Sequence, residues 1–164
     1  MRRAISLGEL RKLEAGVYCD EVGSVPEISI IQKKYSNAVI TLKSAFMYHG
    51  LTDTIPDHYN LATGPKSAAI ADTRVEQFYM PEGTLDIGKT EIEYEGVSIV
   101  VYDLERMLIE LMRFRTKLAY DYYKEVLNNY RANIDRVYPA KLDDYLEAFP
   151  KRDAISEALD REVF

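Results

Sequence analysis

The sequence predicts an α+β fold in which C-terminal helices pack on a mostly antiparallel sheet, with a short β-hairpin at the N-terminus. Short β-forming runs broken by turn residues fill residues 51–103. Apolar residues at helical spacing dominate the chain after residue 103. Strands followed by helices are typical of this class. With 164 residues, 47% of them hydrophobic, the chain can build one compact core.

The first elements are a hairpin and a helix–strand–helix unit. Residues 10–13 and 17–19 flank Glu14-Ala15-Gly16, a three-residue loop whose glycine can adopt a positive φ. Ser24 and Glu27 have capping-box spacing, and residues 38–40 form a short apolar run. We therefore expect a hairpin, then a helix capped by Ser24 and a strand at 38–40.

A second short helix and the main strands follow. Thr41 is a suitable N-cap for residues 42–49, and Gly50 supplies a left-handed stop. Glu91 and Glu93 alternate with apolar residues, which indicates a strand with one solvent-facing side. The strands predicted after Gly50 are residues 59–63, 74–80, 90–94 and 97–101.

The C-terminal part predicts helices. Asp103 can cap a helix with one apolar stripe made by Leu104, Met107, Leu108, Leu111 and Met112. Further helices are expected at residues 120–130, 142–149 and 154–159.

Composition excludes several classes of protein. No apolar run approaches the roughly 18 residues of a membrane helix, and no apolar signal segment follows Met1, so we expect a cytoplasmic protein. The single Cys19 excludes an internal disulfide framework, and with two histidines beside it there is no zinc cluster.

Net charge is −6, with the acid concentrated in residues 51–103, which carry 10 acidic and 3 basic side chains. Such a balance disfavours an isolated high-affinity nucleic-acid module, although the basic N-terminal end permits a weak contact with phosphate.

Catalytic groups are few. Cys19, His49 and His58 form no recognisable nucleophile and base, so we expect a small buried thiol, a helix-capping histidine and a loop histidine. Glu91, Glu93 and Asp103 leave open a metal-dependent nuclease or nucleotidyl enzyme. The favoured expectation is a non-enzymatic protein without metal or cofactor.

The helix after Asp103 carries the densest charge pattern. Asp103 and Glu105 suit the positive end of the helix dipole, and Arg106 can meet Glu110 one turn later. A basic row follows at Arg113, Arg115 and Lys117. Two interpretations stand: a well-capped structural helix, or a basic face exposed for a phosphate or carboxylate ligand.

Five segments resemble the AbiEi-type antitoxins of bacterial abortive-infection systems, in order along the chain from about residue 10 to residue 149. They are KLEAGVY (12–18), AFMYHGLTD (45–53), IG (87–88), VYDLER (101–106) and YYKEVLNNY (122–130). This family belongs to the type IV toxin–antitoxin pairs, which act in phage defence. The resemblance implies an N-terminal winged helix that binds DNA and represses its own operon, followed by a domain needed for antitoxicity.

Carried onto this chain, the resemblance implies a remnant winged-helix hairpin at 1–22 and an antitoxin domain at 23–164. Arg11 and Lys12 in the hairpin are then possible phosphate contacts. The antitoxicity residues would be Asp103, Glu105, Arg106, Arg113, Arg115 and Lys117. The implied partner is an AbiEii-like nucleotidyltransferase toxin, opposed without a stable complex.

Overall fold

A computed structural model describes residues 11–15, 17–19 and 24–164. The elements within these ranges are β1 (Arg11–Glu14), β2 (Val17–Cys19), α1 (Glu27–Lys34), β3 (Val39–Ile40), α2 (Leu42–Tyr48), β4 (Tyr59–Thr63), β5 (Val75–Tyr79), β6 (Lys89–Tyr94), β7 (Val97–Tyr102), α3 (Leu104–Phe114), α4 (Tyr120–Ala132), a 3-10 turn (Ile134–Arg136), α5 (Pro139–Leu146) and α6 (Arg152–Glu162). The predicted α+β class and the N-terminal hairpin are confirmed.

The main sheet has the strand order β5-β4-β3-β7-β6. The β3–β4 and β6–β7 pairs are antiparallel, whereas β3–β7 and β4–β5 are parallel. The expectation of a mostly antiparallel sheet is therefore wrong, and the sheet is mixed. The physical reason is connection length: residues 64–74 form a crossover that returns the chain to the end of the sheet where β4 began, which a parallel partner requires.

The hairpin is attached to the sheet domain by ion pairs around Arg74. The Arg74 guanidinium pairs with Glu14 of β1, with Asp72 at 2.7 Å and with Glu27 at 3.1 Å. Hydrogen bonds from Arg74 hold the pKa of Asp72 well below its ordinary value despite partial burial of the carboxylate. Val17 of β2 is buried as well, so an apolar contact accompanies the charged one.

Local signals at the helix ends are confirmed in part. Gly50 has φ 73°, as the left-handed stop predicts. The Ser24 capping box is not formed, because α1 begins at Glu27 with Pro26 at the N-cap and without a side-chain cap. Thr41 does hold the N-cap position of α2, but its side chain makes no cap hydrogen bond.

The core lies between the sheet and the C-terminal helices, with α3 at its centre. Every residue from Glu105 to Met112 is buried, because α5 and α6 cover the side of α3 that faces away from the sheet. The helix α5 begins at Pro139, three residues before the predicted start at 142, and α6 is longer than predicted. None of the helices in the described ranges combines the length and the apolar character that a membrane span requires.

Candidate functional site

Asp103 stands where β7 ends and α3 begins, and its carboxylate is fully engaged inside the protein. One oxygen accepts the backbone N–H of Arg106 at 2.9 Å, which confirms the predicted N-cap. The other accepts the Tyr145 hydroxyl and lies 2.8 Å from Lys141 Nζ. Asp103 thus joins the start of α3 to helix α5.

Glu105 makes a second connection to α5. It is 3% exposed, accepts the Tyr138 backbone N–H at 2.8 Å, and pairs with Lys141 at 3.2 Å. Burial alone would lower the pKa of Lys141, but its hydrogen bonds to Asp103 and Glu105 outweigh burial and raise that pKa above the ordinary value. Lys141 therefore stays charged and satisfies both carboxylates.

Arg106 is 0% exposed and donates only to groups inside the protein. Its Nε lies 2.9 Å from a Glu110 oxygen, and one terminal nitrogen donates to the backbone carbonyls of Thr84 and Ile87. These bonds fix the loop between β5 and β6 against α3. A guanidinium with its donors occupied in this way has none directed at solvent.

Aromatic rings enclose the same guanidinium. Its carbon lies 4.1 Å from the centre of the Tyr102 ring and 4.6 Å from that of Phe149. Gly88 passes so close that a Cβ there would be 2.4 Å from Arg106 Cβ. The expectation that Arg106 belongs to an exposed ligand-binding face is therefore wrong, because helices and a loop cover that face.

The basic row after Arg106 divides between buried and exposed side chains. Arg113 is paired internally, at 2.6 Å from Glu110, which is itself 0% exposed. Arg115 is half-buried and donates to the backbone carbonyl of Met112 at 2.7 Å. Lys117 is exposed. Of the six residues assigned to antitoxicity, Lys117 is the one whose charged group is open to solvent.

Lys117 lines a pocket between the end of α3, the start of α2 and the sheet. The pocket measures about 300 Å³, at the small end of the range for ligand sites. We call it the lysine pocket; it is lined by Leu42, Lys43, Asn60, Glu76, Phe78, Phe114, Lys117 and Leu118.

Two ammonium groups define its electrostatics. Lys43 and Lys117 are both exposed, and neither forms a salt bridge with a described carboxylate. Glu76 also lines the pocket, where its carboxylate accepts the Asn60 amide at 3.1 Å. The Asn60 oxygen accepts the Lys43 backbone N–H at 2.9 Å and so fixes the start of α2.

The apolar part of the pocket is aromatic. Phe78 and Phe114 pack edge to face with ring centres 5.6 Å apart, and Lys117 Nζ lies 5.3 Å from the Phe114 ring centre. Together with the two ammonium groups, this arrangement suits an anion that carries a flat ring. Sequence reasoning missed Lys43; its only signal was a lone lysine two residues after the Thr41 cap.

The acidic alternative finds no assembled site. The described residues include no group of three His, Cys, Asp or Glu side chains placed to hold a metal ion. Glu91 and Glu93 lie on the exposed side of β6, as predicted from their alternation, and Glu91 accepts a hydrogen bond from Ser98. The Asp103 carboxylate instead interacts with Lys141 and Tyr145 of α5.

The remaining sequence candidates are distributed over the fold. His49 is the C-cap residue of α2, where its backbone N–H donates to the Ala45 carbonyl at 3.0 Å, but its imidazole contacts β7 instead of the helix. Nε2 lies 2.6 Å from the Tyr102 carbonyl oxygen, and burial lowers the pKa of the imidazole. His58 is exposed in the loop before β4, as expected. The side chains of Arg11, Lys12 and Cys19 lie outside the described part of the structure, so the phosphate contacts and the buried thiol stay predictions.

No family model matches the chain, and no curated protein matches it either.

Proposed function

We propose that the chain is a non-enzymatic, AbiEi-like antitoxin that opposes a nucleotidyltransferase toxin by recognising an anionic ligand in the lysine pocket. The observation that carries the proposal is the pair Lys43 and Lys117, two exposed ammonium groups without a described salt-bridge partner on one pocket. Their charges are available to a ligand.

Phosphate on RNA or on a nucleotide is the ligand class that this pocket suits best. Lysine binds phosphate as a compact charge, without needing the planar fork of arginine. Phe78 and Phe114 offer an aromatic wall beside the ammonium groups, and aromatic side chains are common partners of nucleobases. Such a ligand also belongs to the chemistry of the implied toxin, which transfers nucleotides.

The charged residues at the start of α3 support the proposal indirectly. Asp103, Glu105 and Arg106 join α3 to the β5–β6 loop and to α5. This framework fixes the position of α3, whose last residue Phe114 lines the pocket together with Lys117 in the turn that follows. Residues shared with the family would then maintain the fold while the exposed lysines make contact.

A regulatory role is part of the same proposal. The hairpin formed by β1 and β2 corresponds to the wing in the resemblance, and it forms a two-stranded sheet separate from the main sheet. A wing that contacts phosphate gives weak, salt-dependent DNA binding. Repression of the operon would rest on that contact.

Toxin rescue tests the proposal. The chain is co-expressed with the nucleotidyltransferase toxin of its own operon, and surviving colonies are counted for wild type, for Lys43→Ala/Lys117→Ala and for Lys66→Ala. Hydrogen bonds to charged groups contribute about 1.5–3 kcal/mol each, so the double variant should lose at least about tenfold in rescue.

Lys66→Ala is the matched control, because Lys66 is an exposed lysine in a turn outside the pocket. Circular dichroism and thermal melting establish that all three proteins are equally folded. Full rescue by the folded double variant would overturn the proposal.

A further inference from the structure

A second pocket, distinct from the lysine pocket, has three tyrosine rings among its lining residues. It has a volume of about 280 Å³ and lies where the end of α2, the loop before β4 and the end of β6 meet. We call it the tyrosine pocket; the members used below are Glu27, Tyr48, Ile55, Asp57, Tyr59 and Tyr94.

The three rings converge on this pocket. Tyr48 and Tyr94 pack with ring centres 4.8 Å apart at an angle of 67°. The Tyr59 hydroxyl donates to a Glu27 oxygen at 3.1 Å, which fixes the third ring. Burial, aided by Glu27, raises the pKa of Tyr59 to about 12, and burial also raises the pKa of Tyr48. The phenols are therefore neutral at physiological pH, and the faces of their rings carry the partial negative charge of the π electrons.

The charges on the pocket are acidic. Glu27 and Asp57 line it, and no lysine or arginine is found among its described lining residues. Arg74 partly neutralises Glu27 from outside, at 3.1 Å. Asp57 is exposed and forms no salt bridge with a described residue. The loop of the pocket and two of its tyrosines belong to residues 51–103, the acidic part of the chain.

Tyrosine faces beside carboxylates attract cations. A guanidinium or ammonium near a ring centre gains about 0.5–1 kcal/mol at an exposed site and more when desolvated. An anion would meet Asp57 and the negative faces of the rings. The pocket chemistry thus selects a positively charged group.

Ile55 indicates the source of that group. It is 79% exposed and lies at the rim of the pocket, where a small organic cation would leave it in water. Tyrosines at the centre of an interface with an apolar side chain beside them are typical of protein contact surfaces. A basic residue with an apolar neighbour would use both features.

We propose that the tyrosine pocket docks a basic segment of another protein, with an arginine or lysine against Tyr48, Tyr59 and Tyr94 and an adjacent apolar side chain on Ile55. Asp57 supplies the carboxylate at the mouth. This contact is separate from the lysine pocket and does not depend on the function proposed above.

The test uses the full chain with its tyrosine rings labelled with carbon-13. The probe is an acetylated, amidated tetrapeptide that carries leucine next to arginine, and its matched control replaces arginine by citrulline, which has nearly the same shape without the charge. Tyr48→Phe, Tyr59→Phe and Tyr94→Phe assign the three ring signals. The expected result is saturable shifts of those signals, with the citrulline peptide at least about fivefold weaker.

Variants separate the contributions. Asp57→Asn should weaken the arginine peptide about threefold, as an exposed ion pair does, whereas Asp53→Asn, an exposed acid in the same loop outside the pocket, should not. Ile55→Ser should weaken the peptide and leave spermidine binding unchanged. Equal binding of the citrulline peptide, absence of ring shifts, or tighter binding of spermidine than of the peptide would overturn the proposal.

Discussion

The backbone of Gly88 lies directly against the side chain of Arg106. A Cβ on Gly88 would stand 2.4 Å from Arg106 Cβ, closer than carbon atoms approach, and the residue has φ 77°. Glycine is therefore required twice, for the left-handed conformation and for the space. Through this contact the β5–β6 loop comes near enough for its carbonyls to receive the guanidinium.

Gly88→Ala should destabilise the protein by about 2–4 kcal/mol, from the unfavourable φ of alanine and the overpacking against Arg106. Urea denaturation measures the loss. Gly96→Ala is the control: φ there is 80°, but a Cβ would meet nothing within 4 Å. It should cost only the conformational part, about 1–2 kcal/mol. Equal losses in the two variants would contradict the packing argument.

Arg106→Met should destabilise the fold by about 3–5 kcal/mol, because it removes one partner of a buried ion pair and leaves two backbone carbonyls without their donor. Thermal and urea unfolding measure this. Arg161→Met, at a side chain 60% exposed, should stay within about 0.5 kcal/mol of wild type. A fully stable Arg106→Met protein that loses toxin rescue would instead place Arg106 in ligand binding.

Asp72 makes stability depend on acid. Hydrogen bonds from Arg74 lower its pKa in the folded protein, so its stabilising contribution is present above the unfolded pKa and is lost as pH falls through the folded one. Urea midpoints between about pH 5 and pH 2 should therefore fall more steeply for wild type than for Asp72→Asn.

Asp153→Asn is the control for this pH series, because the Asp153 side chain is 99% exposed. Its midpoints should follow those of wild type. Identical slopes for wild type and Asp72→Asn would show that the ion pairs of Arg74 contribute nothing to acid sensitivity.

The proposed wing contact predicts that Arg11→Ala/Lys12→Ala weakens binding to DNA from upstream of the chain's own gene. It also predicts a reduction of the slope of log affinity against log salt by up to about 2, roughly one for each phosphate contact. Mobility shifts over a range of salt concentrations measure both effects. Lys66→Ala should change neither. Unaltered binding by the double variant would remove the hairpin from DNA recognition.

Short-range signals predicted the local structure well. Asp103 caps α3 as its position before the apolar stripe indicated, and Glu91 and Glu93 face solvent as their alternation indicated. In each case the determining interaction lies within a few residues of the signal. The tyrosine-rich end of α4 is similarly regular, with Tyr123, Val126, Leu127 and Tyr130 buried on one side.

Arg106 shows where such signals stop. Helical spacing identifies which residues share a face, but it does not reveal whether another element covers that face. Helices α5 and α6, which begin more than thirty residues after Arg106, pack on α3 and cover that face. The lysine pocket could not be predicted from the sequence for the same reason. Lys43 and Lys117 are brought together only by the packing of α2 beside α3.

The mixed sheet was likewise beyond local pattern, since parallel or antiparallel pairing depends on long connections. Strand β3 has only two residues, both 0% exposed, yet it pairs with β4 on one side and β7 on the other. Alternation within a strand does not specify the direction of its neighbours.

The shortness of strand β3 and its position between β4 and β7 have a consequence during synthesis on the ribosome. Val39 and Ile40 can pair with β4 soon after both emerge, but their other edge stays open until β7 has been translated, about sixty residues later. An unpaired, wholly apolar edge is a template for association with other chains. Nascent chains that stall before Val97 should accordingly be the ones that aggregate or recruit chaperones.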